Sequence, residues 1–302
     1  MLGWRLLQAP FLIVGLIGIF YVDALSGAAA PWLYLFILLL TVRAVYEFHL
    51  LLQTRSFQPN LFATIAGSVA VVTAHWLPHW LPVLAPAGQG PAALAVLGPS
   101  ALAITLVLMA LMAWRSFRYS APGGNLETLG AEFLCVGYIG LFLGLTAQLR
   151  WVQGSDLGYV AIGSLMIATK CGDTTAYACG KAFGKAKMVP KLSPGKTWAG
   201  AYGAIGGAAL GSWLWFTFAV PAITGGHYQG QHLGAILFGA TIGLVGMIGD
   251  LCESLIKRDL GQKDSAPLLP GFGGLLDLLD SVMFAGPVAY LLWLVLPLVT
   301  AR

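Results

Sequence analysis

Charge is what this chain has least of. Only 9% of its 302 residues are Asp, Glu, Lys or Arg, and its mean hydropathy is +0.81, whereas soluble domains carry about a quarter charged residues. That scarcity excludes a soluble globular domain and predicts a chain that lives in a membrane. Sulfur chemistry is missing as well: Cys135, Cys171, Cys179 and Cys252 form no CxxC pair and have no His beside them, so neither a disulfide framework nor a zinc site is expected. The net charge of +4 is spread over short loops and forms no basic tail, which argues against a nucleic-acid partner. No internal repeat is visible, so a solenoid or a duplicated transporter half is not indicated. The apolar run after Arg5 ends in no small-x-small cleavage signal and reads as a retained first span.

What is present is a series of long apolar runs. A membrane span needs roughly 20 apolar residues, and about nine such stretches occur, centred near residues 18, 40, 71, 103, 137, 167, 211, 243 and 287. The expected fold is therefore an all-α, polytopic transmembrane helical bundle, with a scaffold half over residues 1–150 and a chemistry-bearing half over residues 151–302. Lys and Arg favour cytoplasmic loops. Here the loops after even-numbered spans are the basic ones: Arg43 and Arg55, Arg115 and Arg118, Lys181 to Lys196, then Lys257, Arg258 and Lys263. The alternation predicts the N-terminus inside and the C-terminus outside, with Trp76, Trp80 and Trp151 at the outer interface.

The rare charges are not evenly placed. Six of the twelve acidic residues lie between Asp250 and Asp280, together with three basic ones. Asp250, Glu253, Ser254 and Lys257 share one helical face by their spacing. Asp277 and Asp280, at i and i+3, open the last span. Carboxylates within a membrane helix cost several kcal/mol unless paired or hydrated, so a functional site is their default explanation; solvated helix ends, favoured by the macrodipole, are the alternative. Several carboxylates without imidazole or thiolate suit a hard cation such as Mg²⁺. A second constellation, Lys170, Asp173 and Thr174, leads into a segment with Lys181, Lys185, Lys187, Lys191, Ser193, Lys196 and Thr197. Such a segment can hold a polyphosphate through ammonium, hydroxyl and backbone N–H groups, or anchor on anionic headgroups. It contains no G-x-x-x-x-G-K-[ST] string.

These residues resemble the phosphatidate cytidylyltransferase, or CDP-diacylglycerol synthase, family. Ser254, Lys257, Arg258, Lys263, Asp264, Ala266, Leu269, Pro270, Gly273, Gly274, Leu275, Asp277, Leu279 and Asp280 fit that family's signature in register. Gly249-Asp250-Leu251 with Glu253, the stretch from Asp173 to Gly184, and Ser193-Pro194-Gly195-Lys196-Thr197-Trp198 resemble its other motifs. The sequence departs at Phe272 (family His), Leu278 (family Arg) and Ala199 (family Glu). The resemblance implies a Mg²⁺-dependent enzyme using one or two ions, with CTP and phosphatidate as substrates and CDP-diacylglycerol and pyrophosphate as products. It implies catalytic parts for Asp250, Lys257, Arg258, Lys263, Asp264, Asp277 and Asp280, and metal ligation by Asp250, Glu253, Asp277 and Asp280. Substrate contacts are expected from Asp173, Lys191, Ser193, Lys196, Thr197 and Ser254. A bacterial inner membrane, a cytoplasm-facing site, surrounding membrane lipids and a homodimer are further expectations. A family member that acts as a non-catalytic scaffold, and a cytidylyltransferase for another lipid phosphate, are the alternatives. A CDP-alcohol phosphotransferase is set aside because its D-x2-D-G-x2-A-R string is absent.

Overall fold

The structure is a computed structural model describing residues 2–55, 57–81, 92–154, 157–266 and 273–302. Helices dominate it: α1 (Leu2–Leu25), α2 (Pro31–Gln53), α3 (Leu61–Trp80), α4 (Ala92–Phe117), α5 (Asn125–Trp151), α6 (Gly158–Phe183), α7 (Trp198–Ile223), α8 (His232–Asp259) and α9 (Leu275–Val295). Two short antiparallel ribbons interrupt them, β1 (Lys187–Val189) with β2 (Ser193–Thr197), and β3 (Tyr228–Gly230) with β4 (Val299–Ala301).

The helical, polytopic bundle is as expected, with about nine spans anticipated. Among the described residues seven helices are long and apolar enough to cross a membrane: α2, α3, α4 from Leu97, α5, α7, α8 and α9. In α1, which runs over 24 residues, the stretch Pro10–Leu25 is apolar. Helix α6 has the length, 26 residues, but its second half carries Lys170, Asp173, Thr174, Thr175 and Lys181. Apolar content separates α6 from the others, and α6 is the helix that brings polar groups to the site.

The chain forms two compact units. The first comprises Met1–Ala147 and Asp259–Leu278. Two of its helices, α2 and α3, begin on side-chain acceptors: Asp23 Oδ1 accepts the N–H groups of Trp32 and Leu33 at 2.8 and 3.0 Å, and Asn60 Oδ1 accepts that of Ala63 at 3.0 Å. These oxygens meet donors that no earlier carbonyl can serve. Helix α5 changes pitch at Val136–Leu141, where Gly140 comes so near Ser68 that an added Cβ would lie 2.9 Å from its Cα. Val71, Leu111 and Val136 form its apolar centre, with Val107, Phe133 and Leu141 around them.

The second unit comprises Gln148–Arg258 and Leu279–Arg302. Phe216, Phe238 and Trp293 stack at ring separations of 5.7 and 5.9 Å, and the Trp293 indole donates to Ser164 Oγ at 3.1 Å, which gives a buried N–H its partner. Helices α6 and α7 meet through glycines. At Gly207 an added Cβ would stand 1.8 Å from Thr175 Oγ1, and at Gly211 it would stand 2.7 Å from Cys171 Sγ. Without a side chain the α7 backbone approaches α6 closely enough for Thr175 Oγ1 to reach Gly203 O at 2.7 Å, a small-residue seam of the kind used between membrane helices.

Candidate active site

The second unit holds the Lys170–Asp173 constellation and, from the other, Asp250, Glu253, Lys257 and Asp280. Helix α8 continues through Asp250, Glu253 and Lys257 to Asp259. The seam between α6 and α7 fixes the half of α6 that carries Lys170 and Asp173. The β1–β2 ribbon presents Lys196, and α9 contributes Asp280. Glycines make these approaches close: an added Cβ at Gly249 would lie 3.0 Å from Asp280 O. Asp280 is buried, and its carboxylate lies within the fields of Asp250, Lys170 and Asp173. Lys170 Nζ donates to Asp173 Oδ2 at 3.2 Å, Lys196 Nζ meets Asp250 Oδ2 at 2.7 Å and Met247 O at 3.3 Å, and Lys257 Nζ meets Glu253 Oε2 at 2.7 Å. Ser254 Oγ donates to Asp250 Oδ1 across a long 3.4 Å.

Exposure separates these pairs. Glu253 and Lys257 are buried, while the Asp250 and Asp173 side chains are 41% and 47% exposed. The outer pairs lie at the surface of the unit, and exposed ion pairs hold together by about 1 kcal/mol or less. Arg258 and Lys191 are exposed and Ser193 is half-buried. Thr197 acts within its own segment, where its Oγ1 accepts the Gly200 N–H at 3.1 Å and caps α7.

Lys263, Asp264 and Asp277 belong to the first unit. Lys263 and Asp264 are exposed. Asp277 Oδ2 accepts three donors, Ser265 N at 2.8 Å, Ser265 Oγ at 2.7 Å and Gly274 N at 2.7 Å, so it ties the incoming loop to the first turn of α9. Glu47 completes this arrangement. Its Oε2 accepts Leu276 N at 3.0 Å and Ser265 Oγ at 3.2 Å, and Arg43 Nη2 lies 2.9 Å from Oε1. Sequence reasoning took Arg43 as a topology marker and passed over Glu47. The signal was available: a carboxylate inside an apolar span, four residues after an arginine. The signature residues Leu269, Pro270 and Phe272 lie outside the described residues, and Ala199 is half-buried in the first turn of α7.

Asp173, Asp250 and Asp280 form a hard oxygen set without imidazole or thiolate. Among the described residues no three His, Cys, Asp or Glu side chains stand close enough for a ready metal cage. The donor chemistry of these carboxylates fits Mg²⁺, which is commonly held by one or two carboxylates and completed by water and substrate phosphate.

The model of the cytidylyltransferase family matches residues 5–296. This chain belongs to that family. Its phosphatidate cytidylyltransferase relatives include those of Mycobacterium bovis, 34% identical over 203 residues (64% of this chain, 62% of the relative), and Pseudomonas aeruginosa, 37% identical over 172 residues (57% and 59%). An uncharacterised Escherichia coli protein, YnbB, is 38% identical over 173 residues (56% and 55%). The matches thus span a little more than half the length of these relatives. As a family member with seven span-length apolar helices, the chain is a multi-pass membrane protein.

Proposed function

We propose that this protein transfers the cytidylyl group of CTP to phosphatidate, giving CDP-diacylglycerol and pyrophosphate. One observation carries the reading: in a family of cytidylyltransferases, the second unit sets Asp173, Asp250 and Asp280 beside Lys170 and Lys196. A phosphatidate phosphate oxygen attacks the α-phosphorus of CTP, a P–O bond forms there, and the bond to the β-phosphate bridging oxygen breaks, that oxygen leaving with pyrophosphate. The attacking phosphate is already ionised at neutral pH, so the obstacle is repulsion between two anions and no strong general base is needed.

Asp250 and Asp280 are assigned to hold Mg²⁺, which when bound screens that repulsion and stabilises departing pyrophosphate. Asp277 and Glu253 keep the metal-ligand roles that the resemblance implies. Lys191, Ser193 and Lys196 are assigned to the triphosphate, where ammonium and hydroxyl donors neutralise charge that water would otherwise solvate. Lys257 and Arg258 are assigned to either phosphate anion, the part that the resemblance also gives Lys263, and Asp264 keeps the catalytic part it implies. Asp173 orients Lys170. Thr197 serves through the cap that fixes the ribbon, and Ser254 through Asp250. The basic-loop pattern supports a site facing the cytoplasm of a bacterial inner membrane, with the acyl chains remaining in the bilayer.

The test is conversion of phosphatidate and CTP by the purified full chain in detergent, with Mg²⁺ or with chelator, against a panel of dCTP, ATP and other lipid phosphates. Product that requires both CTP and a divalent ion is expected, with Asp250→Asn lowering turnover by about 10²-fold or more while the protein stays folded. Preference for another lipid phosphate would move the substrate assignment. Absence of turnover with every pair would favour the scaffold reading.

A further inference from the structure

The Lys196–Asp250 contact presents a conflict. Asp250 is assigned to the cation and Lys196 to the triphosphate, yet each occupies the other at 2.7 Å. The Lys196 backbone is held on both sides: its strand pairs with β1, the next residue caps α7, and Trp198 N donates to Ala186 O at 3.1 Å. Only the side chain is left to move. It is seated by Asp250 Oδ2 and by the Met247 carbonyl at 3.3 Å, while the other Asp250 oxygen accepts, among the described residues, the long bond from Ser254. The pair is accessible, with side-chain exposures of 19% and 41%, so separating it is cheap.

We propose that Lys196 is a partner-exchanging residue: its ammonium occupies the cation position on Asp250 in the ligand-free protein and transfers to the triphosphate when the cation arrives. The inference rests on the reading of the site given above. Either ligand alone must break the ion pair and leave one member of it without a counter-charge. The two ligands together satisfy both members, so their binding is positively coupled, and by reciprocity each strengthens the other equally. An ammonium thus holds the site against adventitious divalent ions until nucleotide is present.

The experiment is a titration of the full-length protein in detergent with Mn²⁺ alone, read by electron paramagnetic resonance, for the wild type, Lys196→Met and Lys196→Gln. Lys191→Met removes the same charge from the same ribbon and controls for charge alone, and thermal melting confirms folding. Mn²⁺ should bind the two Lys196 variants about fivefold more tightly than wild type, while Lys191→Met shifts affinity by less than about twofold. Unchanged affinity in both folded Lys196 variants, or an equal gain in Lys191→Met, overturns the exchange. Failure of wild-type protein to make product, with the Mn²⁺ result intact, would count against the assigned reaction and not against the exchange.

Discussion

The two units use carboxylates in opposite ways. In the first, Asp23, Glu47 and Asp277 accept backbone N–H groups at helix starts, and Glu132 accepts the N–H of Asn60 while gripping Arg115. Asp23, Glu47 and Glu132 are fully buried. In the second, Asp173 and Asp250 face lysine ammonium groups and remain accessible. The backbone donors cannot leave, so the first kind of carboxylate fixes the fold. A lysine on a flexible stem can leave, so the second kind is available to ligands. The partner of a charged group, more than its presence in a membrane helix, separates structure from chemistry.

Glu47→Ala should produce the largest stability effect. It removes the acceptor for Leu276 N and leaves Arg43 without its partner inside the unit, at a cost of about 3 kcal/mol. Glu47→Gln keeps an acceptor oxygen and should cost about half as much. Denaturation of the purified protein in mixed micelles measures both. If Glu47→Ala melts with the wild type while Asp250→Asn melts early, the comparison is inverted.

Asp277 stands where the two kinds meet, since it serves backbone donors and also belongs to the signature. Asp277→Asn keeps an acceptor for the loop but loses the charge. Stability should fall by about 1 kcal/mol, whereas turnover should fall by about 10²-fold. Equal turnover in the variant would assign Asp277 wholly to the fold.

Much of this was legible beforehand because membrane residence makes charge expensive. Asp173, Asp250 and Asp280 stood out as rare charges on apolar helices, and Lys196 as one of a run of lysines. What the sequence withheld depends on contacts distant along the chain. Glu47 lies 229 positions before the Leu276 N–H it caps, and nothing near it signals that helix start. The cap that Thr197 places on α7 was not legible, because a hydroxyl beside lysines looks alike whether or not it also caps a helix. Helix α6 read as a span by its apolar first half, although its polar second half is the part that matters. The two short ribbons escaped notice because segments of three to five residues carry almost no periodic signal.

The smallest effect tests whether membership of a unit or accessibility decides. Arg55 and Asp259 both belong to the first unit, yet their ion pair spans 3.7 Å with both side chains more than half exposed. If membership decided, Arg55→Ala would destabilise the protein as removal of Glu47 does. Accessibility predicts otherwise: water replaces the lost partner, and the melting temperature should stay within about a degree of wild type. A shift of several degrees would show that long-range charge balance at this end of the first unit contributes to its stability, and the distinction between backbone-serving and lysine-serving carboxylates would then be too narrow.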